Sequence, residues 1–325
     1  MIKVTKLTSL NKKFKRHHGW SGADGIFSYS YKDKIIFYFS DTFIGDSDEN
    51  DKRISFELIN NSFATSDKKL NEIDFIYKKN PLNSYFNLDK GYYWLQDGIL
   101  EDSTLSILAL KMENDIFSSV PFEIKNVDLL KIDLNELHSF KYKKFDFYPV
   151  DKNIILGASI IKENGYYYIF GYVNKYNNKQ LILSRKKSLL DSKIEFLSQD
   201  YTFKTDTSNL LVLKENFAAE FKFINSNNKY YCAYTKNSIG KDIYLLIIDD
   251  LFKPYENEIL LYSCKEHKKD IITYNSKIQE ALSNSKELII SYNVNTLINE
   301  NHSSLNIYRP RFIKVSLEEI SNETK

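Results

Sequence analysis

Five segments of the chain repeat one pattern at nearly constant spacing. In each, a polar or acidic residue opens an apolar strand, a short turn follows, and a second strand begins at once. The first copy reads Gly22-Ala23-Asp24-Gly25-Ile26-Phe27, turns at Lys32-Asp33-Lys34 and continues as Ile35-Ile36-Phe37-Tyr38-Phe39. The others open at Gln96-Asp97-Gly98-Ile99-Leu100, Gly157-Ala158-Ser159-Ile160-Ile161, Ala218-Ala219-Glu220-Phe221 and Ile278-Gln279-Glu280-Ala281-Leu282. Their anchor residues Asp24, Asp97, Ser159, Glu220 and Glu280 lie 73, 62, 61 and 60 residues apart. One small sheet cannot bury both of its faces, whereas five packed around an axis can, and they leave only short edges. The repeat therefore predicts an all-β chain folded as a five-bladed β-propeller, with residues 1–325 as a single domain. A β-sandwich with coincidental spacing is the alternative. A ring must also be closed, and Arg309 to Val315 alternates well enough to form the closing strand against sequence near the N-terminus. Helical turns are expected only at Leu189 to Phe196 and Val315 to Asn322.

Composition agrees with a strand-rich core. Of 325 residues, 24 are Tyr and 22 Phe, and such side chains pack well on a pleated surface. Gly (10) and Pro (5) are scarce, so turns fall to Asn, Asp, Ser and Lys, as in Asn225-Ser226-Asn227-Asn228. Basic residues number 45 and acidic residues 43, a balance that gives no reason to expect a nucleic-acid partner or an acidic membrane surface. The run Lys12-Lys13-Phe14-Lys15-Arg16 reads as a solvated segment. Cys232 and Cys264 cannot supply a disulfide framework and lack metal-ligand spacing. His17-His18 has no third ligand nearby, and no phosphate loop, nucleophile elbow or His-Glu-x-x-His motif occurs, so neither metal nor other cofactor is expected. The first twenty residues contain no apolar stretch long enough for a signal peptide, and no run approaches a membrane span; the sequence as it stands predicts a cytoplasmic protein.

The first strand of each propeller blade lines the central channel, so residues at its start converge on one axial pocket. Four of the five anchors are acidic. Carboxylates held close together raise at least one pKa and separate acid from base, which is what glycoside hydrolysis requires. The chain has two tryptophans, Trp20 and Trp94, shortly before Asp24 and Asp97. Flat rings beside carboxylates suit the apolar face of a sugar, although an inter-blade core position explains them equally well. Asp41 ends the second strand of the first repeat, where an acidic residue is ordinarily a turn former or a cap.

The segments Gly19-Trp20-Ser21-Gly22-Ala23-Asp24-Gly25 and Phe39-Ser40-Asp41-Thr42-Phe43-Ile44-Gly45 resemble the opening of a bacterial family, formerly a domain of unknown function, whose members are recognised as endo-D-arabinanases of glycoside hydrolase family 183. Tyr93-Trp94-Leu95-Gln96-Asp97-Gly98, Gly157-Ala158, Ala219-Glu220-Phe221, Ser291-Tyr292-Asn293-Val294-Asn295 and Tyr308-Arg309-Pro310-Arg311-Phe312 are similar to later segments, in order. The resemblance implies a five-bladed propeller and a catalytic aspartate pair, carried onto Asp24 and Asp41. Glu220 joins them as a further catalytic candidate by position, and Trp20, Trp94, Asp97, Asn293 and Arg309 as candidates for binding a carbohydrate substrate. Ser40 departs from the glycine usual in that family, and the absence of an export signal puts the substrate in question more than the fold. The other readings are an intracellular sugar-processing enzyme of polysaccharide assembly and a non-catalytic propeller that binds glycan or protein.

Overall fold

The computed structural model describes residues 2–114, 122–151, 153–176 and 178–323, and shows a five-bladed β-propeller. Each blade is an antiparallel meander whose first strand is innermost. These inner strands are Phe27–Tyr31, Tyr92–Glu101, Ile154–Glu163, Lys222–Ser226 and Ile271–Ile278. A separate three-stranded sheet, Trp20–Ala23, Thr42–Ser47 and Arg53–Ile59, extends the first blade toward one end of the axis.

The sequence makes this possible by carrying apolar residues on both faces of the middle strands. In the second strand of blade one, Lys34–Phe39, Ile36 and Tyr38 pack toward blade two, with Leu105, Ile107 and Ala109. Their neighbours Ile35, Phe37 and Phe39 pack the other way, with Ile289 and Phe312 of blade five. The same period-two division recurs around the ring, and five apolar clusters fill the five seams between blades. Strands covered on both faces read as continuous hydrophobic runs rather than as alternation.

The ring closes where the sequence predicts. Arg309–Ser316 pairs with Glu287–Thr296 on one side and, on the other, with Val4–Lys6, Val4 lying opposite Val315 and Lys6 opposite Ile313. The outer strand of the last blade thus comes from the start of the chain. The expected helix at the C-terminal end is present as Leu317–Glu323, but Leu189 to Phe196 forms a bend leading into the strand Glu195–Leu197.

The five anchors are not equivalent, and this corrects the repeat as aligned above. Hairpin closure gives the true register: the closing pairs are Tyr31 with Lys34, Glu101 with Thr104, Glu163 with Tyr166, and Ser226 with Lys229. Counted back from those pairs, the residues equivalent to Asp97 are Phe27, Ser159 and Lys222. Asp24 and Glu220 lie upstream, before their inner strands begin. Glu280 lies past Ile271–Ile278, in a short helical turn at the opposite end of the axis.

Candidate active site

Asp24 and Asp41 face each other across the first blade. The Asp24 N–H donates to the Asp41 carbonyl at 3.1 Å, and the Ser40 N–H donates to the Asp24 carbonyl at 3.0 Å, so this ladder holds the two residues side by side, and the charge of Asp41 is felt at the Asp24 carboxyl. Two close approaches make the ladder. Gly22 lies so near the Tyr308 carbonyl that an added Cβ would come within 2.1 Å of it, and Gly25, at φ +59°, lies against Ser40. Ser40 fits in place of the resembled family's glycine because residue 25 has no side chain. Its hydroxyl also accepts from the Leu95 N–H at 3.0 Å, tying blade one to blade two.

Both carboxyl groups are half-buried and lined by neutral donors. Asp24 Oδ2 accepts from the Tyr274 hydroxyl at 2.8 Å and from the Tyr308 hydroxyl at 3.2 Å. Asp41 Oδ1 accepts from Asn60 Nδ2 at 3.0 Å. Burial raises the Asp24 carboxyl well above the usual range, and the negative charges of Asp41 and Glu220 add to the shift against the two tyrosine hydrogen bonds. Asp41 is pushed up to about 6, chiefly by burial, with Asn60 and the Trp94 indole opposing and Glu220 assisting. The Trp94 N–H lies close enough to favour the Asp41 carboxylate but makes no hydrogen bond of good geometry. Glu220 arrives from blade four and pairs with Lys277 of blade five, Nζ to Oε2 at 2.9 Å. Three carboxyl groups from the first and fourth blades therefore converge on one mouth of the channel.

Of the residues expected from sequence, Asp24, Asp41, Glu220 and Trp94 come together. Four others do not join them as side chains open to a ligand. Trp20 is buried and stacked on Phe75 at 4.3 Å, which is the core reading of that tryptophan. Asp97 is fully buried below the mouth and accepts from Lys222 at 2.7 Å, from the Tyr29 hydroxyl and from the Ile160 N–H. Its charge is consumed by structure. Asn293 is buried, its amide donating to the Ala23 carbonyl at 2.8 Å, so it supports the strand before Asp24. Arg309 is buried with its guanidinium on the carbonyls of Leu305 and Asn11, fastening the closing strand. Residues that the sequence did not single out include Asn60, Lys277 and the hydroxyls of Tyr274 and Tyr308. The one usable signal was Lys277, the single charge in the segment Ile271–Ile278.

The fold has solved counterparts. A Bacteroides ovatus protein named only provisionally as a hydrolase superposes with a TM-score of 0.83 at 18% identity, covering 99% of this chain and 92% of its own. A Bombyx mori β-fructofuranosidase of glycoside hydrolase family 32, in complex with sucrose, gives 0.54 at 11% identity over 93% of this chain and 62% of that one. A Podospora anserina α-L-arabinofuranosidase in complex with cellotriose gives 0.51 at 11% identity, over 92% and 91%. At such identities the likeness is one of fold. Comparison with curated proteins returns no match. Residues 8–317, nearly the whole propeller, match the family described as Domain of unknown function (DUF5005), and the chain belongs to that family.

Proposed function

We propose that the protein is a glycoside hydrolase that cleaves a bacterial polysaccharide in the manner of an endo-D-arabinanase, with Asp24 and Asp41 as its catalytic pair. The observation that carries this reading is the pairing of two half-buried aspartates, hydrogen-bonded through their backbones, with both carboxyl pKa values raised by burial. Asp41, at about 6, fits the base or nucleophile once ionised, while burial and the negative charges of Asp41 and Glu220 favour the protonated form of Asp24, which suits the acid. Asp24 then protonates the leaving oxygen as the glycosidic bond breaks, and Asp41 acts on the sugar carbon or on the attacking water. Trp94 beside Asp41 offers a flat ring to the sugar. The likeness of fold to propeller glycosidases and the resemblance of the Asp24 and Asp41 segments to the arabinanase family support the same assignment.

The test is hydrolysis of arabinans and other bacterial polysaccharides by the wild type and by Asp24→Asn and Asp41→Asn. Asn keeps the shape and removes the acid or base, so turnover falls by at least ~10²-fold in each variant. Full activity in either variant removes that residue from the mechanism. A wild type inert on every glycan but binding one makes the protein a glycan-binding propeller instead.

A further inference from the structure

Lys277 has no role in the reading above, yet it is a fully buried charge beside the site. Its side chain is 0% exposed, and its ammonium contacts Glu220 Oε2 at 2.9 Å and lies 3.9 Å from the centre of the Phe27 ring. Glu220 itself is only 24% exposed. Among the described residues, Glu220 is the carboxylate that pairs with this lysine, and Lys222, two residues further on, turns the other way to Asp97 and Glu280. The remaining titratable groups whose charge is felt at or from Glu220 are Asp24, Asp41 and the hydroxyls of Tyr172 and Tyr274. A buried ammonium is stable only beside its counter-charge, and taking that charge away is strongly destabilising. A Glu220 that loaded and released a proton in every cycle would strand Lys277 in every cycle.

We propose that Lys277 is a positioning residue that holds Glu220 as a fixed carboxylate facing Asp24 and Asp41, so that Glu220 sets the protonation of the pair by its charge and donates no proton itself. This rests on the reading of Asp24 and Asp41 as the catalytic pair. Phe27 and Glu220 fix the ammonium from two sides, the ring face by its quadrupole and the carboxylate by a charge-assisted hydrogen bond. Glu220 in turn adds to the upward shift of both aspartates. A proton donor at residue 220 and a fixed charge there make opposite demands on a glutamine substitution.

Two measurements on the full chain decide between them: the pH dependence of kcat/KM on the polysaccharide found active, and ¹³C-carboxyl NMR titration of the Asp and Glu side chains, which needs no activity. In Glu220→Gln, the titration midpoints of Asp24 and Asp41 and the corresponding limb of the rate profile move down by about one pH unit, and turnover at the new optimum stays within about tenfold of wild type. Lys277→Arg keeps the wild-type profile, whereas Lys277→Met, which takes away the partner of Glu220, lowers the aspartate midpoints as Glu220→Gln does. A loss of ~10²-fold or more in Glu220→Gln at every pH, with the aspartate midpoints unmoved, makes Glu220 a proton donor and overturns the proposal. So do aspartate midpoints unchanged in Lys277→Met. If Asp24→Asn and Asp41→Asn remain active, the catalytic reading fails separately, and the NMR titrations still decide whether Glu220 and Lys277 govern the pair.

Discussion

Asp41 makes the stability of the protein depend on pH. Its carboxyl titrates near 3.8 in an ordinary environment and near 6 in the fold, because burial disfavours the charge. Between those values the folded state holds more protons than the unfolded chain, so stability falls as pH rises through this window and the loss is complete above it. At neutral pH the cost is at most about 3 kcal/mol, and Asp24 adds to it in the same direction. Asp41→Asn is therefore expected to melt at a higher temperature than wild type at pH 7.5, with the lead shrinking toward zero near pH 4. Thermal melts across that range check it; a variant less stable than wild type at pH 7.5 would mean that the Asn60 contact outweighs burial. Asp24 and Glu220 of the candidate site were legible in sequence as acidic residues before apolar strands, whereas Asp41 read as a turn former or a cap and came in only through the resemblance of its segment to the arabinanase family. Asn60 was not, because an asparagine in Ile59-Asn60-Asn61-Ser62 looks like any turn, and only the fold brings it to Asp41.

At the scale of elements, Asp97 joins four blades. Sitting on the second, it receives the Tyr29 hydroxyl of the first, the Ile160 N–H and the Ser159 hydroxyl of the third, and the Lys222 ammonium of the fourth. Removing its carboxylate leaves a buried lysine whose other carboxylate, Glu280, is more than half exposed. Asp97→Ala is expected to cost about 3–5 kcal/mol, read as a lower denaturation midpoint with an unchanged slope. A cost under 1 kcal/mol would show that Glu280 alone satisfies Lys222. The sequence presented Asp97 as a candidate for binding a carbohydrate substrate because every acidic anchor was set in one register. The register failed for a physical reason. Asp24 and Glu220 stand 7 and 6 residues before the closing residues Tyr31 and Ser226, against 4 for Asp97 and Ser159, and a pattern of apolar residues does not mark where an inner strand begins.

At the scale of the molecule, the repeat was legible because each blade must carry apolar side chains on both faces, which shows in the sequence as runs such as Tyr166-Tyr167-Tyr168-Ile169-Phe170. The ring closure was legible for the same reason. The three-stranded sheet that begins just after Asp41 was not, since it occurs in one blade and has no repeat to betray it. The seams also govern how the ring comes apart. Each apolar cluster is built from two neighbouring blades, and the cluster between blades five and one includes Phe14, Trp20 and Phe312 from both ends of the chain. No blade can leave without exposing two clusters, and no single blade keeps a core of its own. We therefore propose that the chain unfolds as one domain. Calorimetry should give one transition whose measured enthalpy equals the van't Hoff enthalpy, and truncation of residues 1–7, which removes the pairing of Val4–Lys6 with the last blade, should lower that transition without splitting it. Two resolved transitions, or a truncated chain in which only the last blade melts early, would show that the ring is two cooperative units rather than one.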